Sequence, residues 1–287
     1  MTVRSQGPQS PLAEAWAIFR RNRPALLGLA LLVLIVAMTL VGPTLYGVDP
    51  LDIVSAPLLP PGDADAPLGT DYLGRDLLAG IISGGRASLA VGLSAALLTM
   101  GLGVTVGALA GFYGGWIDRL LMRTTEFFQV LPPLILAMTI VLLFRPSLAT
   151  VAVSIGLVSW PTPARLTRAE FLRIRELDYV RAARAMGARN RRIIWRLILP
   201  NAAPPLIVAA TLTIGAAILF EGGLSFLGLG DSNAVSWGLI MGMNRPYIFE
   251  AWWATTFPGI VLFATVLAVS LIGDGLNDAL NPRQRER

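Results

Sequence analysis

A chain of 287 residues in which 54% are hydrophobic and 14% charged, with a mean hydropathy of +0.65, has the composition of a membrane protein; a soluble domain carries about a quarter charged residues. Its net charge of +5 rests on 23 basic residues that are all arginine, and lysine, histidine and cysteine are absent. That excludes a lysine-based phosphate loop, a Schiff-base lysine, a histidine-dependent triad, thiolate or imidazole metal sites and a disulfide framework, so the chain is expected to be no enzyme and to hold no cofactor of its own.

In chain order, residues 1–23 form a polar N-terminal segment in which Pro11 to Phe19 has the pattern of an amphipathic helix on a membrane surface. Pro24 to Val48 is free of charge over 25 residues, enough to cross a bilayer, and with no small-residue cleavage site after it the run reads as a retained first span (24–48). Residues 49–85, rich in Pro, Gly and Asp, read as an irregular, solvent-facing external loop. The core transmembrane region follows over 86–287. Its first span, Ala87 to Ile117, carries Gly103, Gly107, Gly111 and Gly115 at every fourth position, a face of small residues for close helix packing.

Asp118, Arg119, Arg123 and Glu126 read as a short charged turn, and Phe127 to Phe144 as a third span broken at Pro132 and Pro133. A double proline frees carbonyls; it either lines a substrate path or only kinks the helix. Ser147 to Ala164 is the fourth span, interrupted by Pro161 and Pro163, Leu197 to Phe220 the fifth and Ala251 to Gly273 the sixth, with a second external loop over 221–250. Glu221, at the outer end of the fifth span, either marks the membrane boundary, the preferred reading, or receives the amino group of a cargo at an outer gate. Asp274 and Asp278 are expected to pair with nearby arginines.

Between spans four and five lies the most informative stretch, the Arg-studded segment 165–200. Asp178 is expected to cap a short helix over Tyr179 to Met186, Gly187 suits the left-handed residue that ends one, and Ile193, Ile194 and Leu197 form an apolar side leading into Leu199 and Pro200. Two short helices bent at a glycine make a knob for a partner to hold. Of the 23 arginines, 19 fall in the N-terminal segment, the second-to-third turn, this segment and the tail, against Arg75, Arg86, Arg145 and Arg245 elsewhere, which orients both termini and the knob toward the cytoplasm of a plasma (inner) membrane. Lipid-facing, topogenic placement accounts for the basic charge, and no nucleic-acid partner is expected, because the arginines are not interleaved with aromatic platforms.

The knob resembles the cytoplasmic loop of ABC importer permeases: Glu-Ala-Ala, three residues, Gly, nine residues, an apolar residue, one residue, Leu-Pro. Here Arg181-Ala182-Ala183, Gly187, Leu197 and Leu199-Pro200 keep both spacings, with Arg181 in the glutamate position. PLAEAWAIFRRNRPALLGLALL (Pro11 to Leu32), LGTDYLGRDLL (Leu68 to Leu78), EGGLSFLGLG (Glu221 to Gly230) and GDGLNDALNPR (Gly273 to Arg283) are similar to blocks of the C-type permease of dipeptide and oligopeptide importers. The resemblance implies an all-α, six-span type I importer domain. It also implies a second, related permease chain as heterodimer partner, two ATP-binding subunits carrying ATP and magnesium, and an extracytoplasmic substrate-binding protein. Ala182, Ala183 and Gly187 are then expected to carry the coupling contact, with Arg184, Arg189, Arg191 and Arg192 either touching acidic groups of the ATPase or serving topology alone. Nickel or glutathione cargo would keep this architecture. A proton-coupled secondary transporter would need ionisable residues inside the spans, and the six apolar runs contain none.

Overall fold

The computed structural model describes residues 11–280, and all regular elements among them are helical, apart from two isolated β-bridges. We number the helices α1 (Pro11–Phe19), α2 (Arg23–Tyr46), α3 (Leu77–Tyr113), α4 (Gly115–Val130), α5 (Pro133–Phe144), α6 (Leu148–Ser159), α7 (Pro161–Arg175), α8 (Asp178–Ala185), α9 (Asn190–Leu229), α10 (Trp237–Asn244) and α11 (Trp252–Leu280). Their starts follow local chemistry: the side chains of Asn22, Asp76, Ser147 and Ser236 accept from backbone N–H groups of the first turns of α2, α3, α6 and α10.

Helices α2, α3, α9 and α11 are each long and apolar enough to cross a membrane. The third expected span departs from its outline. The charged "turn" Asp118 to Glu126 is helical and belongs to α4, and Pro132 and Pro133 turn the chain through 88° into α5, a corner rather than a kink. Conversely, Pro161 does not interrupt the fourth span: Trp160 keeps helical φ/ψ (−61°, −23°), Pro161 takes the first-turn position that needs no N–H, and the 12-residue apolar α6 runs on into α7. Pro200 is also tolerated, ten residues inside α9, because the preceding stretch Ile193–Ile198 is π-helical and the Leu199 N–H reaches back to Ile194 O.

The loop expected to be external is shorter than 49–85, since Leu77 to Gly85 are already helical. It is ordered by its own bonds: Val54 N–H donates to Gly74 O, Leu58 N–H to Asp71 O, and Thr70 Oγ1 joins Ala56 O to Leu59 N–H. Trp253 Nε1 donates to Thr70 O, and Asn244 Oδ1 accepts from Tyr72 N–H, so the loop is fastened to α11 and α10. Arg86 holds the C-terminal part of α2. Pro43 leaves Thr39 O without its helical donor, and the Arg86 guanidinium donates to Thr39 O and Leu40 O at 2.9 Å. At the other end, Asn22 Nδ2 donates to Asp278 Oδ2 at 2.9 Å, so among the described residues Asp278 pairs with an asparagine, the tail arginines lying outside them, and α1 docks through Ala15 and Phe19 on Ala25 and Ala279.

The most extensive helix pairing is α3 with α7. A Cβ on Gly103, Gly107 or Gly111 would lie 2.6 Å from Pro163 Cγ, 2.3 Å from Ala164 O and 2.7 Å from Phe171 Cβ. Three of the four glycines therefore form the expected packing face. Gly115 does not: it lies beyond the break after α3, at φ +58° with open space around it. Replacing Gly107 by leucine is expected to lower stability by about 1–3 kcal/mol through overpacking. Gly101→Ala, on the open side of α3, is expected to be neutral or to stabilise by up to about 1 kcal/mol; thermal unfolding of the purified chain in detergent measures both.

Candidate functional site

The knob between α7 and α9 is built as a capped elbow. Helix α8 starts after Leu177, not at a capping Asp178, which makes no side-chain cap bond and sits in the first turn, where a negative charge suits the helix dipole. Its far end closes as a Schellman motif. Ala188 N–H donates to Ala183 O and Gly187 N–H to Arg184 O, both at 3.0 Å, with Gly187 at φ +78°. The chain then re-enters the helical state at Asn190.

Beneath the elbow lies a packed cluster of Phe112, Phe171, Ile174, Val180, Ile193, Ile198, Ala202 and Leu206, drawn from α3, α7, α8 and α9. Polar ties surround it. Arg175 Nη1 donates to Gly111 O and Phe112 O, the last carbonyls of α3, and the Arg184 guanidinium lies 5.5 Å above the Phe112 ring. Arg168 grips the Asp118 carboxylate of α4 through both Nε and Nη2, a bidentate pair that is largely buried on the Asp side, at 18% exposure. Glu176 receives Arg181 at 2.7 Å and Arg175 at 3.1 Å, and these two hydrogen bonds, Arg181 first, hold its carboxyl below the usual range. Arg181, in the glutamate position of the loop pattern, thus finds its carboxylate within the knob.

The structure divides the expected coupling residues. Arg181, Ala182 and Gly187 face outward, whereas Ala183 is buried against the base and supports the elbow instead of offering a contact. Leu197 and Leu199 are half-buried around the same cluster, and Pro200 is exposed on the flank. The outer face has members that the motif does not name: Tyr179 at 43% and Met186 at 81% exposure stand with Ala182 at helical spacing, an apolar strip on an otherwise charged knob. Their i, i+3, i+7 spacing was present in the sequence as the signal. Beside them Arg189, Arg191, Arg192, Arg196 and Trp195 line a cationic recess.

The residues expected along a path or gate are scattered. Pro132 and Pro133 are exposed at the α4 to α5 corner, and Pro161 is buried in the α6 to α7 joint, where Trp160 meets Phe128 edge-on at 5.5 Å. Glu221 is not at an open membrane boundary. It is 1% exposed within α9, its Oε1 accepting from Ser225 Oγ at 2.7 Å and its Oε2 lacking a partner among the described residues. One ionisable side chain, just past the apolar run that ends at Phe220, is therefore buried in a long apolar helix, because the helix continues nine residues beyond that run.

Comparisons with known proteins agree with this architecture. Residues 103–286 match the family described as binding-protein-dependent transport system inner membrane component, and residues 10–61 match the N-terminal TM domain of oligopeptide transport permease C. The chain is 42% identical to the di/tripeptide transport system permease protein of Pseudomonas aeruginosa, over 96% of this chain and 93% of that one. It is 37% identical to the dipeptide transport system permease protein of Haemophilus influenzae, over 97% of each, and 35% identical to the glutathione transport system permease protein of Pectobacterium atrosepticum, over 98% of this chain and 94% of that one. Among solved structures, an inward-facing MetNI methionine ABC transporter matches in fold with a TM-score of 0.60 at 22% identity, over 70% of this chain and 96% of its own. With an all-helical bundle of this shape, the capped elbow in its expected place and relatives along nearly its whole length, the chain belongs to the binding-protein-dependent transport system inner membrane component family, in the group of C-type permeases of peptide ABC importers.

Proposed function

We propose that this chain is one of two related permease subunits that together enclose the path of an ATP-driven importer of dipeptides or oligopeptides, and that an ATPase subunit moves it by holding the knob. The observation that carries the reading is the elbow: its outer strip of Tyr179, Ala182 and Met186 is exposed and apolar, while its base is joined to α3, α4, α7 and α9. A partner gripping the strip displaces four helices at once, which suits the conversion of ATPase closure into helix rocking. Peptide cargo is favoured by the names of the relatives at 37–42% identity. A glutathione permease at 35% supports the second reading, a related cargo on the same architecture.

In this account the ATP and magnesium are held by two ATP-binding subunits on the cytoplasmic side, an extracytoplasmic binding protein delivers the cargo, and both termini and the knob face the cytoplasm, as the 19 to 4 division of arginines favours. Alternating access then requires the cargo to bind one state more tightly than the other.

Gly187→Val forces a β-branched residue into a left-handed backbone, whereas Gly187→Asn is tolerated there. In the assembled complex the valine variant is expected to insert and to retain ATP hydrolysis while uptake falls to background, with the asparagine variant close to wild type; unchanged uptake in the valine variant contradicts the coupling role. Met186→Glu places a charge in the centre of the apolar strip. It is expected to weaken retention of the ATPase subunits roughly tenfold or more, as loss of a central interface anchor does, measured by copurification at rising detergent and salt. Asp118→Asn breaks the bidentate pair with Arg168 and is expected to lower uptake per ATP hydrolysed without releasing the ATPases, read from parallel transport and hydrolysis assays.

A further inference from the structure

Within apolar helices a Ser or Thr hydroxyl commonly returns its hydrogen to a carbonyl one turn earlier, and Ser94, Thr139, Thr167, Thr213, Thr265 and Ser270 all do so here. Three hydroxyls that line one cavity of about 340 Å³ depart from this habit, as Thr255 Oγ1 does elsewhere. Ser159 and Thr162, at the joint of α6 and α7, make no hydrogen bond among the described residues, and the buried Thr99 Oγ1 of α3 has no partner either. Facing them on α9 is Thr213, whose hydroxyl donates to Ala209 O at 2.7 Å and keeps lone pairs to accept.

The walls are two helical stripes. Ser159, Thr162, Pro163 and Leu166 recur at i, i+3, i+4 and i+7 on one side, and Ala209, Leu212, Thr213 and Ala216 recur in the same way on the other, with Thr99 contributed by α3. Thr99 and Thr213 lie near the middle of their long helices, and Thr162, Leu212 and Ala216 are exposed, so the trough lies at mid-length of the bundle and opens on the surface of this chain. No acidic or basic side chain lines it. A lipid tail offers nothing to a free hydroxyl, whereas a peptide main chain brings N–H and C=O groups that are costly to strip of partners in an apolar setting. A hydroxyl both donates and accepts, so it meets either group in either orientation without reading the side chains.

We infer that this trough is a station for the cargo's peptide backbone during passage, with Ser159 and Thr162 as its principal contacts and Thr213 as an accepting neighbour. The inference deepens the peptide-import reading and rests on it. The lack of ionised groups gives the station tolerance: it engages the part that all peptides share and leaves side-chain selection to other surfaces.

The test uses the complete importer in liposomes, with its ATPases and with saturating binding protein. Ser159→Ala/Thr162→Val removes both hydroxyls at nearly constant volume, and Thr162→Ser keeps both in place. Uptake of a dipeptide and of its backbone N-methylated analogue is compared alongside ATP hydrolysis. The double variant is expected to hydrolyse ATP normally but to carry the dipeptide roughly tenfold less well, the scale of one or two lost hydrogen bonds, and to lose wild type's preference for the unmethylated peptide; Thr162→Ser is expected to retain both. Wild-type peptide uptake with an unaltered double variant, in rate and in preference, overturns the station alone. A parallel fall in hydrolysis and assembly marks a packing role and also overturns it. Failure of the wild-type complex to carry any peptide overturns the peptide reading itself and the station with it.

Discussion

At the crossing of α3 and α7 there is no room for a methyl group: a Cβ on Gly107 would stand 2.3 Å from Ala164 O. In a bilayer, where apolar burial gives little drive for helices to associate, such backbone-to-backbone approach lets dispersion contacts hold them. Because Gly103, Gly107 and Gly111 repeat the approach over two turns, α7 follows α3 to its end, and Arg175 reaches the last carbonyls of α3. The cluster of Phe112, Phe171 and Ile174 forms there, and the knob is seated on it. A wider crossing would leave α8 on a tether.

The same two helices that carry the knob carry the hydroxyl trough. From Ser159 through Arg175 the chain is helical apart from a single turn residue, and α9 runs unbroken from Asn190 beside the elbow past Thr213. Short joints at residues 176–177 and 186–189 connect the knob to these two helices, which run on to the cavity walls. The soft points are the 88° corner at Pro132 and Pro133 and the π-helical stretches Ile193–Ile198, between the elbow and Thr213, and Ser225–Leu229, which flank the straight part of α9. A hinge or register change at these points permits the bundle to take two arrangements while its glycine contacts persist.

Much of this was legible in the sequence, for identifiable reasons. The positive φ of Gly187, the small-residue face of α3 and the long apolar helices follow from rules that act within a few residues. What the sequence concealed depends on register and on partners far along the chain. Ala182 and Ala183 look equivalent, yet one faces out and the other in because Val180 and Ala183 share the face that meets Phe112 and Ile193. Pro132 and Pro161 look alike as helix breakers, but Trp160 stays helical while the Leu131–Pro132 backbone is extended. Glu221 ended an apolar run and so looked like a boundary; its burial follows from the continuation of α9 through a π-helical stretch that no hydropathy pattern announces.

If the outer strip of the elbow sits in a cleft of a separate ATPase, residue 186 lies against that subunit. Since the chain contains no cysteine, Met186→Cys introduces a unique thiol at the tip of the knob. Thiol-directed cross-linking of the assembled complex, followed by identification of the joined peptide, is the direct measurement. A single adduct between residue 186 and an ATP-binding subunit, in every nucleotide state, is the expected result of a knob that stays held. Efficient cross-linking from a thiol at another position on the same side, with none from residue 186, contradicts it.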